Sequence, residues 1–301
     1  MSAHRLHSPE AEMNLRSLLF VPGDRPDRVQ KASSSGADAV ILDLEDAVAI
    51  EGKAAARSQV AAALRQGPRA VPHLVRVNAL SSRFLDEDLK AIAACAPDGI
   101  VLPKAEGAAS INELVERMRA LSLTCPILPI ATETPAAIFR LGEYAAVAGN
   151  LLGLTWGAED LPAAIGAESS RDAGGNLTPP YEMVRSLALF AAHAAAVPAI
   201  ETVFPDFRDA EGLAAYARRA AHDGFTGMLA IHPNQIPAIH SAFTPSPALI
   251  ERSRRIVAAF ASNPGAGVLQ VDGRMVDAPH LRQAQRVLSR ADDREFPPTP
   301  Q

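Results

Sequence analysis

Cysteine is nearly absent. Cys95 and Cys125 are the only two in 301 residues, they stand in apolar surroundings, and neither belongs to a Cys-x-x-Cys or Cys/His spacing. That argues against a disulfide framework and a zinc site, and it fits a reducing compartment. An excess of positive charge is missing too: 29 Lys and Arg against 34 Asp and Glu leave a formal charge of −5. Such a chain has no long-range pull toward a nucleic-acid backbone or an anionic lipid surface. No apolar stretch approaches the roughly 18 residues that cross a bilayer. The opening residues, MSAHRLHSPEAEMN, lack the apolar centre of a signal peptide, and no internal repeat is visible. The expectation is a cytoplasmic protein with no nucleic-acid or membrane partner, whose residues 1–14 form a loose tail.

What is present is ordinary globular material, 48% hydrophobic and 21% charged, enough to bury a sizeable core. Short β-rich runs alternate with helical stretches, the pattern of a parallel α/β sheet. The predicted strands are Ser17–Val21, Ala39–Asp43, Leu74–Val77, Gly99–Pro103, Ile127–Ala131, Leu151–Trp156, Ala199–Val203 and Met228–Ile231. Between and after them the predicted helices are Pro26–Ser34, Lys53–Leu64, Ser81–Ala94, Ala108–Leu121, Pro135–Ala148, Pro180–Ala196, Asp209–His222 and Asn234–Ala242. About eight such units close a (β/α)8 TIM barrel, expected over residues 15–243. Glu168–Thr178 reads as an inserted polar loop. Residues 244–301 form a C-terminal helical extension with a helix near Pro247–Ser262, a hairpin signal at Asp272-Gly273 and a helix near Pro279–Ala291. An appendage of that size needs something to pack on, its own barrel or a neighbouring subunit.

In a barrel of this kind the chemistry sits at the carboxyl ends of the strands, and those ends are acidic here. The second ends in Asp43-Leu-Glu-Asp46, the third carries Arg76 and Asn78, and the fourth ends in Pro103-Lys-Ala-Glu106. The fifth ends in Thr132-Glu-Thr134 and the sixth in Gly157-Ala-Glu-Asp160. Several carboxylates on one rim repel one another unless a cation offsets them, and oxygen donors without sulfur or paired imidazoles suit Mg²⁺ or Mn²⁺. Glu133 and Asp160, on adjacent strand ends, are the candidate metal ligands. Helix capping is the alternative for any one of these acids, but it does not account for Arg76, whose guanidinium suits a two-point grip on a carboxylate.

The strings Arg16-Ser-Leu-Leu-Phe-Val-Pro-Gly23, Leu42-Asp-Leu-Glu-Asp-Ala-Val48, Val75-Arg-Val-Asn78, Leu102-Pro-Lys-Ala-Glu106, Ala131-Thr-Glu-Thr-Pro135, Trp156-Gly-Ala-Glu-Asp-Leu161 and Ala230-Ile-His-Pro233 together resemble the citrate lyase β-subunit-like (CitE-like) branch of the HpcH/HpaI aldolase family. The likeness covers roughly residues 16–291. It implies a homotrimer or dimer of trimers and a Mg²⁺-dependent, reversible carbon–carbon cleavage of a 3-hydroxyacyl-CoA thioester of the malyl-, citramalyl- or citryl-CoA type. The products would be acetyl-CoA, or a homologue, and a 2-oxo acid. By the same resemblance Glu133 and Asp160 are the metal ligands, Arg76 holds the oxo-acid carboxylate, and Phe20, Arg25 and Lys31 receive the CoA nucleotide and its phosphates. Asp277 is the acid/base carboxylate delivered to the active site of an adjacent subunit.

That chemistry needs these groups, because the hydroxyl proton must leave while a thioester enolate forms, and both events build negative charge. One general acid/base must also serve the thioester side. Plainer readings stand beside these: Asp277 as a cap before Ala278-Pro279, Arg25 and Lys31 with Arg16 and Arg28 on a solvated face, and Phe20 as a core residue. Asp43, Glu45 and Asp46 either orient Arg76 and metal-bound water or cap the next helix. Pro22-Gly23 lets the backbone approach a ligand, His232 is structural or a base, Glu159 points away from Asp160, and Trp156 packs at the rim. Two other functions compete: a class II pyruvate-type aldolase without CoA, whose histidine base after the second strand is absent, and a citrate lyase subunit acting on a citryl-acyl-carrier-protein.

Overall fold

The computed structural model describes residues 15–295; the expected tail over residues 1–14 lies outside the described residues. These divide into two compact units, 15–240 and the residues from 241 onward. In the first, eight parallel strands follow the eight apolar runs: β1 (Ser17–Pro22), β2 (Ala39–Asp43), β3 (His73–Arg76), β4 (Gly99–Leu102), β5 (Ile127–Pro129), β6 (Leu154–Thr155), β7 (Ala199–Glu201) and β8 (Gly227–Ala230). Their order is β5-β4-β3-β2-β1-β8-β7-β6. The ends of that row meet through parallel bridges joining Ile127 to Leu151 and Ile130 to Thr155, so the sheet closes into a (β/α)8 barrel.

The barrel interior explains where the chemistry lands. Leu18, Ala39, Ile41, Leu74, Val101, Leu128, Ile130, Ile200 and Leu229 form one buried cluster. Alternate residues of a strand share a face. Phe20 therefore continues the inward row begun by Leu18, Asp43 continues Ala39 and Ile41, and Arg76 continues Leu74. The parallel register sets Asp43 beside Arg76. One alternation thus fills the middle of the barrel with aliphatic side chains and equips its carboxyl end with a ring, a carboxylate and a guanidinium.

The flanking helices are α1 (Pro26–Ser33), α2 (Lys53–Leu64), α3 (Leu85–Ile92), α4 (Gly107–Ala120), α5 (Pro135–Ile138), α6 (Asp160–Ile165), α7 (Pro179–Ala194), α8 (Ala210–Asp223) and α9 (Ile236–Phe243). Two helices and one strand depart most from the sequence reading. The helix expected over Pro135–Ala148 is one capped turn, α5, followed by a tighter 3-10 stretch, Leu141–Asn150, that loses helical geometry at Val147; Gly142, Gly149 and the β-branched Val147 favour that break. Strand six is shorter than Leu151–Trp156, since Leu151 contributes only an isolated bridge. The helix expected from Ser81 starts at Leu85.

The second unit consists of α10 (Pro247–Ser262), an antiparallel hairpin of β9 (Val268–Val271) and β10 (Arg274–Asp277), and α11 (Ala278–Glu295). Asp272 and Gly273 both take positive φ, 52° and 74°, as a two-residue type I′ turn requires. Ile256, Val271, Val276 and Ala284 give this unit its own small core.

Candidate active site

A cavity of about 350 Å³ opens at the carboxyl end of the barrel. Its lining brings together Phe20, Asp43, Asp46, Arg76 and Glu133 from the ends of four strands and Asp160 from the start of α6, over an apolar floor that includes Ile130, Val203 and Leu229.

Arg76 and Asp43 form its most tightly built part. The Arg76 Nε and Nη2 donate to the two oxygens of Asp43 at 2.7 and 2.6 Å, and Nη1 lies 3.2 Å from a Glu45 oxygen. The Phe20 ring lies under the guanidinium at 4.8 Å. Burial alone would lower the Arg76 pKa, but the Asp43 hydrogen bonds and charge carry it above the ordinary value, so the group is a permanent cation. Asp43 also accepts from the amides of Glu45 and Ala47 at 2.9 and 3.0 Å, so the loop after β2 wraps around the carboxylate that pins Arg76. Gly23 has a different use from the one expected. A Cβ there would stand 2.6 Å from the Asp43 carbonyl and 2.8 Å from Val60, so its bareness serves strand packing, and Gly23 N–H donates to that carbonyl at 2.8 Å.

Glu133 and Asp160 stand on the same cavity wall. Glu133 is buried, with one oxygen accepting the Lys104 amide at 2.5 Å. Burial pushes its pKa up to about 8; the Lys104 amide works against that rise and the nearby Asp160 adds to it. Gly157 leaves room for it, since a Cβ there would sit 2.8 Å from Glu133 Cγ. The segment after β6 is tied to β5 by paired bonds between Thr132 Oγ1 and the Gly157 backbone. Asp160 is the first residue of the short helix α6 rather than a strand end. That turn of helix brings Glu159 onto the lining as well, a correction to the expectation that it points elsewhere.

The donor set suits a hard dication: two carboxylates, one of them desolvated and short of cationic partners, with no sulfur or imidazole on the lining. Among the described residues no group of three or more His, Cys, Asp or Glu is arranged to hold a metal. Mg²⁺ fits the two-carboxylate case, because it keeps several water or substrate oxygens.

Two lysines that the sequence reading left out bind this rim. Lys104 Nζ lies 2.5 Å from Glu45, 3.6 Å from Asp160 and 3.8 Å from Asp46. Burial raises the Glu45 pKa against the pull of Arg76 and Lys104. Lys53, buried at the start of α2, donates to the carbonyls of Leu44 and Glu45 and to Asn78 Oδ1, at 2.7–2.9 Å. A signal for Lys104 was present, since it ends a strand amid acids; Lys53 opens a helix, where lysine ordinarily meets solvent, and gave none.

Other expected residues lie elsewhere. Arg25 is exposed at the start of α1 beside Asp27, 3.4 Å away. Lys31 sits in the last turn of α1, and neither lines the cavity, whereas Arg28 does. Arg16 is held by Asp38 at 2.7 Å, before β1 begins. Trp156 lines the cavity and is fully buried, its indole N–H donating to the buried Glu201 at 2.6 Å. His232 closes a capping box: its Nδ1 accepts the Asn234 amide, and the Gln235 side chain accepts its own amide. Asp277 belongs to the second unit, as the last residue of β10, and pairs with His280 Nδ1 at 2.6 Å. That hydrogen bond holds its carboxyl below the ordinary range.

No helix among the described residues is long and apolar enough to cross a membrane. The family model described as HpcH/HpaI aldolase/citrate lyase matches residues 16–233. A citrate lyase subunit beta-like protein of Mycobacterium tuberculosis is 41% identical over 286 residues, 93% of this chain and 98% of its own. The mitochondrial citramalyl-CoA lyase of Mus musculus is 33% identical over 295 residues, 92% of this chain and 86% of its own. The crystal structure of CitE from Mycobacterium tuberculosis in complex with magnesium, acetoacetate and coenzyme A superposes with a TM-score of 0.78 at 39% identity, over 92% of this chain and 98% of that one. The strand-end strings, the closed barrel and these matches agree, and the chain belongs to the HpcH/HpaI aldolase/citrate lyase family.

Proposed function

We propose that this protein is a Mg²⁺-dependent carbon–carbon lyase that reversibly cleaves a 3-hydroxyacyl-CoA thioester into acetyl-CoA, or a homologue, and a 2-oxo acid. The observation that carries the reading is that one cavity is lined by two oxygen-donor carboxylates, Glu133 and Asp160, and by a guanidinium pinned by Asp43. Support for the substrate class comes from a relative named citramalyl-CoA lyase and from a similar structure crystallised with magnesium and coenzyme A.

Glu133 and Asp160 would hold the dication, which supplies Lewis acidity toward the substrate hydroxyl and the oxo acid it becomes. Arg76 has its Nε and Nη2 held by Asp43 and its Nη1 3.2 Å from Glu45, and the oxo-acid carboxylate would be gripped through the remaining N–H groups of the two terminal nitrogens. Because Asp43 and Phe20 hold the guanidinium in place, little reorganisation is needed when that charge arrives. The apolar floor keeps water from the bond that breaks.

The thioester side needs a group that takes a proton from the acetyl methyl in condensation and returns it in cleavage. Asp277 is that group in this reading. His280 keeps it ionised at neutral pH, as a base requires. It reaches the site of an adjacent subunit in a homotrimer or dimer of trimers, which also gives the second unit something to pack on. Phe20, Arg25 and Lys31 receive the CoA nucleotide and phosphates, with Arg28 on the lining as a further cation. A cytoplasmic location belongs to the same reading.

Glu133→Ala and Asp160→Ala are each expected to abolish metal-dependent release of 2-oxo acid while leaving the circular dichroism spectrum unchanged; full activity in either removes the metal assignment. Malyl-, citramalyl-, methylmalyl- and citryl-CoA with Mg²⁺ are the substrates to assay. Arg76→Lys is expected to raise KM for the oxo acid in condensation far more than KM for acetyl-CoA, because lysine cannot reproduce a two-point grip. For Asp277→Asn, exchange of solvent deuterium into the acetyl-CoA methyl group is expected to be lost, as read by mass spectrometry.

Glu133 also makes a pH prediction. Its folded-state pKa of about 8 exceeds the ordinary 4.5, so between those values the metal-free folded protein binds more protons than the unfolded chain. Stability in EDTA therefore falls as pH rises through that window, by at most about 1.4 kcal/mol per unit from this group. Glu133→Gln is expected to flatten the slope in urea melts at pH 5 to 8.

A further inference from the structure

Lys104 grips the acid rim with both its main chain and its side chain. Its backbone takes φ 53°, a left-handed conformation that costs a non-glycine residue about 1 kcal/mol. That conformation accompanies a division of labour. The amide N–H points to Glu133 at 2.5 Å, while the ammonium reaches Glu45 at 2.5 Å and stands 3.6 Å from Asp160. One residue thus touches both candidate metal ligands. The other cation of the rim, Arg76, is engaged by Asp43 and Glu45, and Lys53 is consumed by two carbonyls and an amide oxygen. Only the Lys104 ammonium approaches Asp160 among the ion pairs of the described residues. Its side chain is one-third exposed, so it has room to move.

We propose that Lys104 is the resident counter-ion of the metal site, a positioning residue whose ammonium holds Glu45 and Asp160 together without the dication and opposes the ion when it binds. The proposal rests on the metal-dependent reading above. Its physical content is a pair of opposite signs. Without the ammonium, Glu45 keeps only Arg76 as a partner and Asp46 and Asp160 lose their cation, which destabilises the metal-free protein. The same loss deepens the negative potential at Glu133 and Asp160 and removes a like charge from the neighbourhood of the ion, which tightens Mg²⁺ binding. A side chain needed only for architecture gives one sign, with stability and metal affinity falling together. In the counter-ion role the lysine keeps the metal exchangeable.

The test is calorimetric titration of the full-length protein with MgCl₂ at fixed ionic strength, beside thermal melts in EDTA, for wild type, Lys104→Gln and Lys104→Arg. Lys104→Gln is expected to bind Mg²⁺ about tenfold more tightly than wild type and to melt at a lower temperature in EDTA. Lys104→Arg should restore both values. Lys104→Met, uncharged and of similar reach, is measured in parallel, so that the result does not depend on how well one variant folds. Unchanged or weaker Mg²⁺ binding in the uncharged variants, with wild type binding normally, overturns the counter-ion role and leaves the metal-dependent reading standing. A wild-type protein that binds no Mg²⁺ overturns both.

Discussion

Carboxylates crowded at the end of a barrel set the constraint on which the rest of this structure depends. Charges withdrawn from water are tolerated only when paired and hydrogen-bonded, and each acid on this rim meets the demand differently. Asp43 is fully occupied, by the Arg76 guanidinium and two loop amides. Glu45 is shared between Arg76 and Lys104. Glu133 is the exception: it is buried, it has an amide rather than a cation beside one oxygen, and its pKa rises accordingly. The charge imbalance is concentrated at the position where the proposed reaction calls for a dication.

The scaffold meets that constraint with the plainest device a barrel has. A two-residue period carries Ala39 and Ile41 into the interior and then Asp43 into the cavity, and it does the same with Leu74 and Arg76. Because β2 and β3 are in parallel register, the carboxylate and guanidinium become neighbours without any loop having to place them. Loops then fix the remainder: Lys53 clamps the chain after β2 to Asn78 beyond β3, and Thr132 laces the chain after β6 to β5. The segments that carry the two candidate metal ligands, after β5 and at the start of α6, are thereby tied to each other.

This division explains what could be read from the amino-acid sequence. Strand β2 was legible to the residue, and so were α2 and α10, because β2 is an unbroken apolar run up to Asp43, α2 is rich in alanine and α10 opens on a serine cap and a proline. Asp43, Arg76 and Glu133 were legible as strand-end residues, since that depends only on alternation and on where chemistry sits in a barrel. Lys104 was signalled only as a lysine ending a strand amid acids and Lys53 not at all, because a lysine's role is set by what surrounds its ammonium, which is a tertiary matter. Sequence put Glu159 and Asp160 on a strand-like segment with opposed side chains, but α6 begins there and the helical turn brings both to the cavity. Gly23 was legible as a place where the backbone is approached closely, but not what approaches it: the next strand.

Two carboxylates with pKa values pushed in opposite directions divide the proposed reaction between them. Glu133 is raised by burial and suits a cation at its side, whereas Asp277 is lowered by its hydrogen bond to His280. Acid–base roles separate where environments separate pKa values. A base placed on the acid rim itself would meet like charges that oppose its ionisation, and a cation close by would bind it rather than leave it basic. In the proposed reaction, a base on the second unit, which has its own small core, has its ionisation set by His280 rather than by the acid rim.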